Sequence, residues 1–94
     1  MIKIKLVKQG NSRWHEQRLY HLSEPISFGH VSNPSLTRFI LISSVNSWFL
    51  NETIVFAANE RGKILNYMEL RVVKGKPLAF DEAIKLMEME LEHE

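Results

Sequence analysis

Residues 52–70, ETIVFAANERGKILNYMEL, constrain the fold more than any other stretch of the chain. Thr53-Ile54-Val55-Phe56-Ala57 is a short apolar run rich in β-branched and aromatic side chains. Such a run suits a strand with both faces at least partly covered. Asn59-Glu60-Arg61-Gly62 supplies turn chemistry. A type I turn followed by Gly62 in the left-handed region closes a hairpin, because glycine takes positive φ without a Cβ clash. Alternation along the returning strand then puts Ile64, Asn66, Met68 and Leu70 on one face, and Leu65, Tyr67 and Glu69 on the other. With this turn, Glu52 and Glu69 are expected close together at the open end of the hairpin. Paired carboxylates can hold a divalent ion or share acid–base work. They can also pair with Arg71, Arg38 or backbone amides, and this structural role is the one expected.

The hairpin also resembles a pattern found in small uncharacterised proteins of bacteriophages: E-T-x-V-F, a polar turn ending in Gly, an aromatic-x-E-L stretch, then a helix opening on an acidic residue, Glu and Ala. The matching residues are Glu52, Thr53, Val55, Phe56, Gly62, Tyr67, Glu69, Leu70 and Asp81-Glu82-Ala83. Tyr67 stands where the pattern has Trp, and Asn59-Glu60-Arg61 replaces an aspartate-rich turn. The resemblance implies a viral or mobile-element origin and brings no known activity with it.

The rest of the chain adds strands and one helix. Met1–Lys8 alternates, with Ile2, Ile4 and Leu6 opposite Lys3 and Lys5, until Val7 breaks the pattern. Gln9-Gly10-Asn11-Ser12 reads as a turn. Trp14–Leu22 fits either a strand or a helix. The strand reading, a hairpin with Met1–Lys8, is preferred. It places Trp14, Glu16, Arg18, Tyr20 and Leu22 on one face and His15, Gln17, Leu19 and His21 on the other. Trp14 is expected at the core or its edge, with the indole N–H on a backbone acceptor. Ser23–Ser35, with two prolines, a glycine and four serines, reads as loop pinned by Ile26 and Phe28. Phe39-Ile40-Leu41-Ile42 marks a central strand within Leu36–Val45. Trp48 and Phe49 fall in a connection. They are expected to cap one end of the core, with an exposed partner anchor as the alternative. Lys74-Gly75-Lys76-Pro77 ends the last strand. Phe80–Glu92 is a helix whose apolar stripe is Phe80, Ala83, Ile84, Met87 and Leu91. Asp81 and Glu82 suit its dipole, whereas Glu88, Glu90, Glu92 and Glu94 oppose it, so fraying is expected beyond Met89.

Ninety-four residues make one domain, 1–94, with a modest core. The fold expected is α+β: an antiparallel sheet of four or five strands with the C-terminal helix packed on one face. Without cysteine, disulfide and thiolate chemistry are excluded. No apolar run reaches the ~18 residues of a membrane span, and the N-terminus lacks the apolar core of a secretory signal. No membrane partner is expected, and the location expected is the cytoplasm of a bacterial host. His15, His21, His30 and His93 do not fall in a metal-ligand spacing, and Gly10, Gly29, Gly62 and Gly75 are isolated. No G-x-S-x-G setting is present. The protein is therefore expected to be no enzyme and to use no metal or cofactor.

The net charge of +1 hides an asymmetry. Residues 1–76 carry 11 Lys/Arg against 5 Asp/Glu, and residues 77–94 carry 1 against 6. The bland account is a basic sheet beside an acidic helix; the functional one is two surfaces of opposite sign, one meeting a charged partner. The function expected is a phage-type interaction protein, in its concrete form an inhibitor of a bacterial defence or housekeeping complex. Its expected contacts are Trp48, Phe49, Glu88, Glu90 and Glu92, the acidic helix end imitating nucleic-acid phosphates. The alternative is a small nucleic-acid-binding module using a basic sheet surface at Lys3, Lys5, Lys8, Arg13 and Arg18. Self-association is also compatible with the sequence.

Overall fold

The computed structural model, which describes residues 2–30 and 32–92, shows a five-stranded antiparallel meander and one helix. Strands β1 (Ile4–Ser12), β2 (His15–His30), β3 (Asn33–Asn46), β4 (Asn51–Ala58) and β5 (Ile64–Lys74) lie side by side in chain order. The sheet curls into a half-barrel, and α1 (Phe80–Glu92) packs on one face. This is the α+β architecture expected.

Strand alternation decides what each face buries. Tyr20 and Leu22 of β2, Ile40 and Ile42 of β3, Val55 of β4 and Val73 of β5 form the main core with Phe80, Ala83 and Met87 of α1. Leu19, Leu41 and Ala58 point the other way, into a smaller cluster joined by Phe39 and Ile64. The two-face reading therefore holds from His15 to Leu22, whereas Trp14 falls in the turn before β2. The helix stripe also holds at Phe80, Ala83, Ile84 and Met87; the side chain of Leu91 lies outside the described residues. The helix does not fray at Met89 but continues to Glu92, and Glu90 is tied to Arg71 of β5 at 2.6 Å.

The chain enters α1 through a polar clamp. Ser44 and Thr53, both buried on the helix side of the sheet, bring their hydroxyls to 2.9 Å. Ser44 Oγ accepts the Leu78 N–H at 2.7 Å, and Thr53 Oγ1 accepts the Ala79 N–H at 3.2 Å while donating to the Lys76 carbonyl at 3.3 Å. The two residues that lead into the helix are thus tied to the sheet through their backbone N–H groups.

Three irregularities set the register; the first falls where the alternation was expected to break, and the other two correct expectations. The first is a single-residue bulge at Val7, between the pairs Leu6↔Tyr20 and Lys8↔Leu19. β1 then continues to Ser12, so the turn expected at Gln9–Ser12 falls at Arg13-Trp14 instead. The second lies in β2. His21 faces Phe39 but Ile26 faces Thr37, so β2 holds three residues more than its partner. Ser23–Ser35 is consequently not a loop but the body of a long β2–β3 hairpin. Pro25 sits inside the insertion, where its missing N–H breaks no ladder bond, and Pro34 lies at the start of β3, where proline is tolerated. Buried Ile26 pins the segment as expected.

The third irregularity lies in β5. The turn forms as read: Gly62 N–H donates to the Asn59 carbonyl at 3.0 Å, Gly62 has φ +83°, and Asn59 Oδ1 accepts the N–H groups of Arg61 and Lys63. Beyond it the pairing passes from Ala58↔Ile64 to Phe56↔Glu69, again three extra residues, with Asn66 and Tyr67 at φ 62° and 49°. A further one-residue shift follows before Val55↔Arg71. The predicted alternation of Ile64–Leu70 therefore fails. Gly62→Ala tests the turn directly. A Cβ has room there, 3.8 Å from the Leu19 side chain, so the expected loss of about 1 kcal/mol comes from the backbone conformation alone. A thermal-melt midpoint equal to wild type would refute it.

Candidate functional site

Two surfaces stand out, one at an end of the sheet and one on the face opposite α1. The β1–β2 turn, the β3–β4 connection and the end of β5 share one end, joined by bonds from Asn46 N to Trp14 O and from Gly75 N to Asn51 O. Trp48 (88 % exposed), Phe49 (72 %), Leu50, Trp14 (48 %) and Leu78 all project there. Ser47 fixes the β3–β4 connection: its N–H and Oγ both donate to the Leu50 carbonyl, and its Oγ accepts the Leu50 N–H. On this turn the Trp48 and Phe49 rings meet edge to face, centroids 5.1 Å apart. These aromatics do not cap the core, as was expected. Register explains why: Asn46 pairs with Asn51, so the four residues between them lie beyond the last rung of the ladder. Trp14 likewise sits outside the core, its ring covered by the Arg13 guanidinium at 4.9 Å.

The face opposite α1 is basic along its β1 side. Lys5 pairs across from His21, and Lys8 from Leu19, so both lysines share the face of the smaller apolar cluster; Lys3, two residues before Lys5, belongs to the same side. Without the Val7 bulge, Lys8 would point toward the helix side. The β4–β5 turn folds over this face, bringing Gly62 against Leu19 and Arg61 opposite Lys8. Between them is a cleft of about 140 Å³ with Gln17, Leu19 and Leu41 in its lining. Among the described residues, the side chains of Lys3, Lys5, Lys8 and Arg61 have no ion-pair or hydrogen-bond partner.

Arg18, grouped with these cations in the sequence, faces the other way. It pairs with Glu16 at 2.8 Å and lies over the Phe80 ring at 4.0 Å. Burial pushes the Tyr20 phenol above its usual range, while the Arg18 guanidinium beside it opposes that shift. The acidic helix is partly neutralised by the Arg71–Glu90 and Lys76–Glu82 pairs. Glu88 is half-buried; the side chains of Glu92 and His30, and all of His93 and Glu94, lie outside the described residues. Of the remaining histidines, His15 Nε2 bonds to Ser43 Oγ and His21 meets the Phe39 ring edge-on at 5.2 Å.

Glu52 and Glu69 do not come together. Glu52 pairs across from Lys74 and Glu69 from Phe56, four residues apart on β4, or about 13 Å of strand. The inserted residues of β5 are the cause. No helix among the described residues is long and apolar enough to cross a membrane. Comparison with known proteins finds no matching family model, no matching curated protein and no matching solved structure. The resemblance to small phage proteins therefore rests on its motif alone.

Proposed function

We propose that the protein is a non-enzymatic interaction module that docks through its β3–β4 connection onto a bacterial host or phage protein complex, acting there as an inhibitor. The observation that carries this reading is the pair Trp48–Phe49, both largely in solvent and held by a turn already fixed by Ser47. Exposed aromatics cost solubility and add nothing to the core, whereas at interfaces they dominate binding. A turn ordered in advance spares a partner the entropy of ordering it. Arg13, Trp14, Leu50 and Leu78 extend the patch on the same end.

The test is capture from bacterial lysate with tagged protein, with and without nuclease, using wild type and the double variant Trp48→Ala/Phe49→Ala. A stoichiometric protein partner should survive nuclease and bind the variant at least about thirtyfold more weakly, the equivalent of a hot-spot loss of about 2 kcal/mol. Both side chains lie outside the core, so the thermal midpoint should stay at that of wild type. A partner held equally well by the variant, or lost on nuclease treatment, refutes the reading.

A further inference from the structure

We infer that the sheet face opposite α1 binds single-stranded nucleic acid, with phosphates on Lys5, Lys8 and Arg61 and bases against His21 and Phe39. This goes beyond the aromatic end and uses none of its residues.

The Val7 bulge aligns the cations. A regular strand would divide Lys3 and Lys5 from Lys8; the extra residue brings all three to one face of an edge strand. The folded-over turn then carries Arg61 to the other wall of the Lys8 cleft. Two cations converge there without a carboxylate between them, over a floor of Leu19 and Leu41 that offers no compensation. An anion entering this cleft would meet both cations at once. Next to it, Lys5 is the cross-strand neighbour of His21, and His21 of Phe39, both partly exposed. Basic side chains along a strand, with two edge-to-face rings one and two strands inward, set a phosphate track beside ring surface that a base can contact.

Charge on the rest of the molecule agrees. Asp81, Glu82, Glu88 and Glu90 lie on α1, on the opposite side of the sheet. Of the carboxylates on or near the basic face, Glu24 follows Ser23, whose backbone pairs with Lys3, Glu60 adjoins Arg61 in the turn, Glu69 lies out on edge strand β5, and Glu52 stands across from Lys74. Positive charge is thus concentrated along the β1 side of this face and at Arg61, where a polyanion would meet it first. Rings set into a sheet reach only unstacked bases, which selects single strands over duplex.

The test is fluorescence anisotropy with labelled 12-nucleotide single strands of RNA and of DNA and with the matching DNA duplex, across a salt series. Saturable binding to a single strand is expected, tighter than to the duplex. Log affinity should fall with log salt with a slope of about −2, as three phosphate contacts give. Lys8→Glu/Arg61→Glu, on exposed side chains, should weaken binding by about tenfold or more and flatten the salt slope. His21→Ala should weaken it by about fivefold or more and leave the slope unchanged. Trp48→Ala should bind as wild type does. Absence of saturable binding at low salt, full binding by the Lys8/Arg61 variant, or equal affinity for the duplex would each overturn the inference.

Discussion

Phe80→Ala is expected to destabilise the protein by about 3–5 kcal/mol. Phe80 is 3 % exposed, opens α1, and belongs to the main core that draws on β2, β3, β4 and β5. Truncation removes its apolar burial and leaves a cavity between sheet and helix. It also takes away the ring beneath the Arg18 guanidinium. At about 0.05–0.15 kcal/mol per residue, a chain of 94 residues is held by roughly 5–14 kcal/mol, so one side chain carries a large share. Urea unfolding should show the midpoint falling sharply with an unchanged slope. Phe80→Leu keeps most of the volume and should lose far less. A Phe80→Ala protein within 1 kcal/mol of wild type would mean that α1 is not held by this contact.

Thr53→Val is the second large effect, at about 2 kcal/mol. The substitution keeps shape and removes only the hydroxyl. That hydroxyl touches Ser44 Oγ, the Ala79 N–H and the Lys76 carbonyl, all where the chain leaves the sheet for the helix. A buried donor left without a partner suffers the full desolvation penalty, so the loss exceeds that of an ordinary hydrogen bond. Ser44→Ala removes the acceptor of the Leu78 N–H and should weaken the same joint. Because the two hydroxyls are in contact, their effects should not add, and a double-mutant cycle measures the shortfall. Additive losses would show that the two residues act separately rather than as one clamp.

Much of this fold was legible where local chemistry and burial agree. Gly62 announced its turn because a positive φ was required there, and the Phe80–Met87 stripe announced a helix because its period matched one buried face. Alternation in Trp14–Leu22 sorted Tyr20 from Leu19 correctly for the same reason. What failed to be legible was insertion. Pro25 and the serines around it read as loop because proline is hostile to a paired strand; inside an unpaired insertion that objection vanishes. The extra residues of β5 leave no signature in ILNYMEL, since alternation looks intact until Asn66 and Tyr67 turn left-handed. One slip then moved every later pair, which is why the Glu52–Glu69 site dissolved. Of the candidate sites, Trp48 and Phe49 were found by residue type, but their exposure depended on where the ladder stopped. Lys5 and Lys8 were found by charge. Arg61 was not, because only the folding over of the turn brings it to Lys8.

The chain-order arrangement of the strands has a kinetic consequence. Each strand finds its partner in the segment made just before it, so no pairing waits for a distant part of the chain. Loops to be closed are short, and the entropy lost before the first favourable contacts is small. Hairpins can therefore form one after another as the polypeptide leaves the ribosome. Among the described residues only α1 covers the apolar side of the sheet, and it follows all five strands in the chain. Until it docks, Ile40, Ile42 and Val55 lie open on a nearly finished surface. The interval between completing β5 and docking α1 is thus the period of greatest hazard from aggregation, and the Ser44–Thr53 clamp stands at the point where that interval ends.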